Sequence, residues 1–341
     1  MTDLPAAADR TNDIPNRISR LHQKRGIVAL TGGTGFLGRH IVDALSAAGW
    51  RVRALVRRPA AAPDGVEIVP GTLEDEAALE RLLDGAVVLV HAAGVIKAAK
   101  QTDFMRVNRD GGKRLAARAA RQTVPPRIVL VSSLAAREPS LSAYARSKRA
   151  EEDAFTAAGM SALAILRPAA IYGPGDRETA VFFKAANGPL LPIPDVPKAH
   201  VGLIHVADVA AAVTAFCAEG TPNGSFELTD ARQQGYTWDE LAQEIRAAVG
   251  GRARIVKFPF ALFAAVGAVN ALLAAIGGHP FTLTPGKARE LFHPDWSSAP
   301  ERQPPANVWQ ARMPLREGMM QTAHWFVSRR RTDKREYRYA V

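Results

Sequence analysis

From Gly26 onward, short apolar runs of strand length alternate with longer stretches that mix apolar and polar positions. The runs Gly26–Leu30, Val52–Val56, Val66–Val69, Val87–His91, Ile128–Ser132 and Leu163–Leu166 are punctuated by Gly, Pro, Asp or Ser nearby. Continuous apolar runs of this length suit strands buried on both faces. Between them, Leu37–Ala48, Glu76–Leu83, Arg109–Arg121 and Tyr144–Ala158 have helical character. Six strand runs are thus interleaved with four helical stretches before residue 170. Such alternation requires crossovers, and predicts an α/β fold with a doubly wound parallel sheet covered on both faces.

After residue 172 the alternation loosens. Pro174, Pro189, Pro192, Pro194 and Pro197 break up residues 173–198, which read as loops over a site. A strand and a helix return over Val201–Ala218, a strand follows at Phe226–Thr229, and helices dominate from 237. The expected organisation is a sheet domain over 26–175, rejoined by 201–230, and a smaller, mainly helical domain from 176–200 and 231–328. Residues 1–25, polar with two prolines, read as a disordered arm, and 329–341 as a mobile basic tail. There is no internal repeat.

Composition narrows the function. Of 341 residues, 47% are hydrophobic and 23% charged, which excludes a disordered, collagen-like or coiled-coil protein. The single cysteine, Cys217, excludes an internal disulfide framework and fits a reducing compartment. The net charge of +11 raises nucleic acid or an anionic membrane as partners. Residues 1–25 carry five Lys/Arg against three Asp, and 328–341 carry six against two acids, so more than half the excess lies at the ends. Solvated tails account for that better than a nucleic-acid site. The N-terminus has no apolar core of a secretory signal, so a cytoplasmic location is expected. His91 and His205 stand apart from any cluster with ligand spacing, so no metal is expected.

The first run leads into Thr31-Gly32-Gly33-Thr34-Gly35-Phe36-Leu37-Gly38 and then a helix. Glycines at 32, 35 and 38 suit a tight turn, backbone approach to a pyrophosphate and close helix–strand packing, with helix N–H groups aimed at the phosphates. A nicotinamide dinucleotide is the implied cofactor. The second strand ends Leu55-Val56-Arg57-Arg58, without the acid that would accept from ribose hydroxyls. Arginine there suits a 2′-phosphate, so NADP is expected, with NAD the alternative. Further on, Ser132-Ser133 closes a strand, and Tyr144-Ala-Arg-Ser-Lys148 opens a helix. Positions i and i+4 share a helix face, so the ammonium can sit beside the phenol and lower its pKa. Such a tyrosine can give a proton to a carbonyl oxygen as hydride arrives, while a serine hydroxyl holds the same oxygen.

These motifs together resemble the extended short-chain dehydrogenase/reductases, within the NAD-dependent epimerase/dehydratase-like group. His91-Ala92-Ala93-Gly94 resembles the fourth-strand motif beside the cofactor, and Val107-Asn108-Arg-Asp-Gly111 the segment whose asparagine supports the active site. Arg167-Pro168-Ala-Ala-Ile171-Tyr172-Gly173-Pro174-Gly175-Asp176 and Ile204-His205-Val206-Ala207-Asp208-Val209 resemble later signatures of the group. The resemblance covers roughly residues 26–328. It implies a Rossmann domain with a smaller, mainly helical substrate domain. It also implies Ser133, Tyr144, Lys148 and Asn108 as the catalytic set. Cofactor contacts are implied at Gly32, Thr34, Gly35, Phe36, Leu37, Gly38, Arg57, Leu73, Ala92, Ala93, Tyr144, Lys148, Pro168 and Ile171. Three departures stand out. The serine lies only eleven or twelve positions before Tyr144, so Ser132 competes with Ser133. Threonine occupies position 72, where an adenine-binding aspartate is common. Leu134-Ala135-Ala136 lacks the acids a sugar dehydratase needs.

Residues 258–277 stand out. Sixteen of these twenty positions are apolar and none is charged, but seven are alanine. The chain beyond resembles the end of the family's substrate domain and must fold back on the same side. A buried helix lining or covering an apolar pocket, or one resting on a membrane surface without crossing it, is expected. Pro285-Gly286-Lys287, Glu290-Leu291 and His293-Pro294-Asp295-Trp296 resemble the 3β-hydroxysteroid dehydrogenase-like and dihydroflavonol reductase-like branches. The expected activity is hydride transfer to or from a secondary alcohol or ketone of a largely apolar small molecule. A nucleotide-sugar epimerase is the enzymatic alternative, and a non-catalytic NADP-binding sensor or assembly protein the other. The partners this admits are the small-molecule substrate, a peripheral membrane contact and a second copy in a homodimer.

Overall fold

The computed structural model describes residues 25–58, 65–279 and 281–336. The expected arm at 1–25 lies outside them except for Arg25. Seven parallel strands form the main sheet in the order β10-β6-β5-β4-β1-β2-β3. These are β1 Ile27–Thr31, β2 Arg51–Val56, β3 Glu67–Pro70, β4 Ala86–His91, β5 Arg127–Val131, β6 Leu163–Pro168 and β10 Gly224–Leu228. Their crossovers include α1 Phe36–Ala47, α2 Glu76–Leu83, α4 Gly111–Ala120 and α5 Ala143–Ala157, with α3 Gln101–Phe104 before α4.

Alternation of side chains along each strand feeds two cores. Val28 and Leu30 pack with Ile41, Val42 and Leu45 of α1 on one face. Ala29 packs with Leu79, Leu82, Leu115 and Phe155 on the other. The strand order reverses between β1 and β4, whose carboxyl ends, Thr31 and His91, pair side by side. In open parallel sheets ligands bind outside the strand ends at this switch point.

Two further pairs build the second lobe. β7 Ala170–Tyr172 pairs with β9 Leu203–His205, and β8 Leu190–Pro194 with β11 Arg254–Phe258, both parallel. Residues 173–198, expected as loops, also contain α6 Ala180–Ala186 and β8. Pro192 and Pro194 are tolerated because β8 pairs on one side only, which leaves the other edge without a ladder to donate to. α7 Val206–Phe216 packs on α1, and α8 Trp238–Ala248 begins with a Thr237–Glu240 capping box. The Asp208 carboxylate accepts from the backbone N–H groups of Arg312 and Met313, and Trp309 Nε1 donates to its carbonyl, anchoring the returning chain.

The apolar segment forms α9 Phe260–Gly277, followed by α10 Pro285–Leu291. It is not a buried helix: only Gly267 and Ala274 are buried, and most of its large side chains face outward. The expected basic tail also differs. α11, Leu315–Glu336, continues through 329–336, and only 337–341 lie outside the described residues.

Candidate active site

The turn after β1 is built for close backbone approach. Gly32 has φ +80°, and a Cβ there would lie 2.6 Å from the Ala92 carbonyl and the Ala93 nitrogen. A Cβ at Gly38 would fall inside the Gly32 carbonyl, so α1 can sit directly on the turn only with glycine at 38. Gly35 is the N-cap of α1 and no side chain caps the helix. Its first N–H groups, with the positive end of the helix dipole, suit a pyrophosphate. Thr34 is half-buried on this turn, and Phe36, Leu37 and Gly38 form the first turn of the helix. The residues therefore fit a dinucleotide.

The other expected contacts surround this turn unevenly. Ala92 and Ala93 follow β4, where Ala93 N–H donates to Thr31 Oγ1 at 3.2 Å. Arg57 is exposed just beyond β2, next to Arg58. Leu73 packs on Gly111 at the start of α4. Pro168 ends β6, buried, and Ile171 lies in β7 opposite Ile204. Thr72 is engaged locally, its hydroxyl accepting from Glu74 N–H.

Tyr144 lies in the first turn of α5, whose N-cap Ser142 accepts from Ala145 N–H at 2.9 Å. Ser133 lies near the Tyr144 phenol, whose pKa it pulls down, and accepts from Ala135 N–H. Ser132 is used elsewhere: it donates to Glu152, which also holds Arg167 through both carboxylate oxygens. The competition between the two serines is thus resolved geometrically, with Ser133 beside the phenol. The ring of Phe104 stands edge-on to Tyr144, centroids 6.2 Å apart.

Lys148 Nζ is buried and donates to the Val131 carbonyl at 3.0 Å. It forms an ion pair with Glu151, one turn on and fully buried. The other Glu151 oxygen lies 3.1 Å from His91 Nε2, and His91 Nδ1 meets Thr31 Oγ1 at 2.5 Å. A buried polar chain therefore runs from the cofactor turn to the lysine: Ala93 N–H, Thr31, His91, Glu151, Lys148. With Ala93 donating to Thr31 Oγ1, the threonine hydroxyl is free to donate to His91 Nδ1, leaving Nε2 the protonated nitrogen, 3.1 Å from the carboxylate but not aligned with it for a hydrogen bond.

The electrostatics follow from this chain. Burial would raise the Glu151 carboxyl, yet the ammonium of Lys148, then His91, holds it below the usual range. Burial would lower Lys148, but Glu151 and Tyr144 together raise it. Burial raises the Tyr144 phenol, and Lys148 and Ser133 pull it back only in part. The expected net lowering of the tyrosine is not what this arrangement produces, since burial of the phenol outweighs the ammonium of Lys148.

Asn108 makes its structural hydrogen bonds next to Lys148 rather than to it. It is buried in a single π-helical turn, Met105–Asp110, and has no hydrogen bond to Lys148. Its Oδ1 accepts from Val95 N–H at 2.8 Å, and its Nδ2 donates to the Val95 carbonyl and to Ser147 Oγ. The wide turn aims the amide at the loop after β4, so it clamps that loop to α5 one residue before Lys148. Sequence reading missed Glu151 and the part His91 plays. The pattern Lys148-Arg-Ala-Glu151 reads as an exposed helix pair, and only the packing of α5 over β4 brings His91 to it.

A Rossmann-type sheet with a phosphate-binding turn and a Ser–Tyr–Lys cluster at its switch point defines a nicotinamide-nucleotide enzyme fold. The chain belongs to the NAD dependent epimerase/dehydratase family, whose family model matches residues 28–228. It is 47% identical over 308 residues to a ceramide reductase of Caulobacter vibrioides, spanning 89% of this chain and 95% of that protein. A 109-residue stretch is 41% identical to a farnesyl-dihydroquinoline-oxide ketoreductase of Stigmatella aurantiaca, spanning 30% of this chain and 32% of that one. Among solved structures, UDP-glucose 4-epimerase of Thermus thermophilus in complex with NAD superposes with TM-score 0.64 at 22% identity, covering 88% of this chain and 99% of that one. That likeness is one of fold.

Proposed function

We propose that this chain is an oxidoreductase, preferring NADP(H), that transfers hydride between its cofactor and the carbonyl carbon of a ketone on a largely apolar, lipid-like molecule. The observation that carries the reading is the cluster of half-buried Ser133 and Tyr144 with buried Lys148 beside the dinucleotide turn. The bound cofactor supplies or accepts the hydride. Ser133 and Tyr144 hold the carbonyl oxygen, and Tyr144 gives it a proton as negative charge develops there. Burial keeps the phenol protonated, the form needed for reduction. Lys148 then stabilises the phenolate that remains. Arg57 and Arg58, exposed at the strand end that lacks an acid, suit a 2′-phosphate. The apolar substrate class is supported by the 47% likeness to a ceramide reductase and by the exposed apolar surface of α9.

Tyr144→Phe tests the assignment. Removing the proton donor should lower turnover by about 10²–10⁴-fold while cofactor affinity stays near wild type. Turnover within a factor of about three of wild type would remove Tyr144 from the mechanism.

A further inference from the structure

α9 is built inside out for a helix in water. At about 100° per residue, Leu262, Val266, Val269, Leu272, Leu273 and Ile276 fall within one arc, the side facing solvent. Ile276 is 78% exposed and Leu272 62%. The opposite side carries Gly267 and Ala274, the only two residues that are buried. A soluble helix turns its large apolar residues inward and its small or polar ones outward; here the order is reversed.

Its attachment explains how it projects. Gly267 rests on the Thr284–Pro285 backbone, and Asn270 Nδ2 donates to the Leu283 carbonyl at 3.0 Å. Phe260 and Phe263 stand edge-on to Phe292. After the left-handed cap at Gly278, with φ +70°, the chain turns back along the helix. Both ends of this hairpin return to the same body, through β11 on one side and α10 on the other. A span would place them on opposite faces of a bilayer.

Charge selects the occupant. No Asp or Glu occurs from Ile245 to Arg289, a stretch that holds Arg246, Arg252, Arg254, Lys257, Lys287 and Arg289. Lys257 pairs with Asp239 at the surface and Lys287 with the buried Glu290; Arg289 turns its Nε to the Leu141 carbonyl. A second copy docked about a two-fold axis through α9 would bring the same net-positive flanks together. An anionic lipid surface offers both hydrocarbon for the apolar arc and phosphate for the cations.

We propose that α9 is a membrane-docking helix that embeds its outer face in the interface of an anionic bilayer without crossing it. α10, which α9 packs against, sits on the start of the catalytic helix. Gly286 lies against Ser142, Ser142 Oγ donates to Glu290 at 2.5 Å, and both Lys287 and Glu290 act on the Tyr144 phenol. The docking face is therefore one helix removed from the reacting hydroxyl, a short path for an amphiphile leaving the bilayer. Delivery of substrate rests on the function proposed above; docking rests on α9 alone.

The test is co-sedimentation of the full chain with phosphatidylcholine vesicles, with and without phosphatidylglycerol. Binding should be at least about tenfold stronger to the anionic vesicles and fall at high salt. Leu272→Ser with Ile276→Ser should weaken it at least about tenfold more, leaving reduction of a short water-soluble ketone unchanged. Wild-type protein that stays in the supernatant, or a double variant that binds as well as wild type, would overturn the proposal. So would a double variant that turns a dimer into a monomer without losing vesicle binding, which would give the face to a second copy. Carbonate-resistant retention would make α9 a span and overturn it too. If vesicles bind but no ketone is reduced, the catalytic reading fails and the docking face stands.

Discussion

Glu151→Gln probes the buried chain most sharply, because the change is nearly isosteric and removes only the charge. The wild-type carboxylate is fully buried between Lys148 and His91. Glutamine leaves Lys148 a buried ammonium with only the Val131 carbonyl as a fixed partner. Breaking one side of a buried ion pair costs about 3–5 kcal/mol. A second route gives a similar ceiling. If the lysine sheds its proton to fold, neutralising an amine of ordinary pKa near 10.4 at pH 7 costs about 4.6 kcal/mol. The sign with pH follows. In the variant the folded state binds fewer protons than the unfolded chain, so its stability rises as pH climbs toward the ordinary lysine value. The deficit against wild type should therefore shrink by up to about 1.4 kcal/mol per pH unit between pH 7 and 10. Urea unfolding at several pH values measures this. Lys148→Met combined with Glu151→Gln, which removes both charges, should recover much of the stability without recovering turnover. A Glu151→Gln deficit below about 0.5 kcal/mol would show that the pair is not a coupled buried ion pair, and a large deficit constant with pH would show that the lysine keeps its proton in the variant.

Two other outcomes follow from the same geometry. Arg57→Ala with Arg58→Ala should weaken NADPH binding more than about tenfold while NADH binding changes little, since a lost charged hydrogen bond to phosphate costs roughly 1.5–3 kcal/mol; calorimetric titration of both cofactors checks it, and equal weakening would place these arginines elsewhere. Because burial holds the Tyr144 phenol above its ordinary value, ketone reduction should be level through neutral pH and decline only in the alkaline range, whereas alcohol oxidation, which needs the phenolate, should rise with pH; a reduction rate that already falls between about pH 6 and 8 would contradict that placement.

The sheet was legible because buried parallel strands read as continuous apolar runs. Glu76–Leu83 matches its helix end for end, and the other early elements shift by a residue or two at their boundaries. The second lobe was less so. β8 contains two prolines and survives only as a strand paired on one side, which no local pattern announces. α9 reads as a buried helix by composition, yet its exposure depends on what the rest of the chain brings to it, and what packs on it, the 283–285 segment, α10 and Phe292, covers one side. In the site, helix spacing placed Lys148 beside Tyr144, but the choice of Ser133 waited on Glu152 and Arg167 claiming Ser132. Asn108 was expected to make a structural hydrogen bond near the lysine, and its partners, Val95 and Ser147, are set by the fold. Glu151 was passed over because an acid three residues from a lysine usually marks a solvated face; the partner that buries it, His91, lies sixty residues earlier in the chain.

The central claim, hydride transfer to a lipid ketone assisted by Tyr144, is tested most directly with nicotinamide deuterated at C4. Purified protein would be given the labelled NADPH and a long-chain ketone in mixed micelles, and the product examined by mass spectrometry. The account predicts cofactor oxidation that depends on the ketone, with a single deuterium on the new carbinol carbon, and its loss in Tyr144→Phe. Interconversion of a nucleotide sugar without net cofactor oxidation, and no reduction of any lipid ketone, would contradict it.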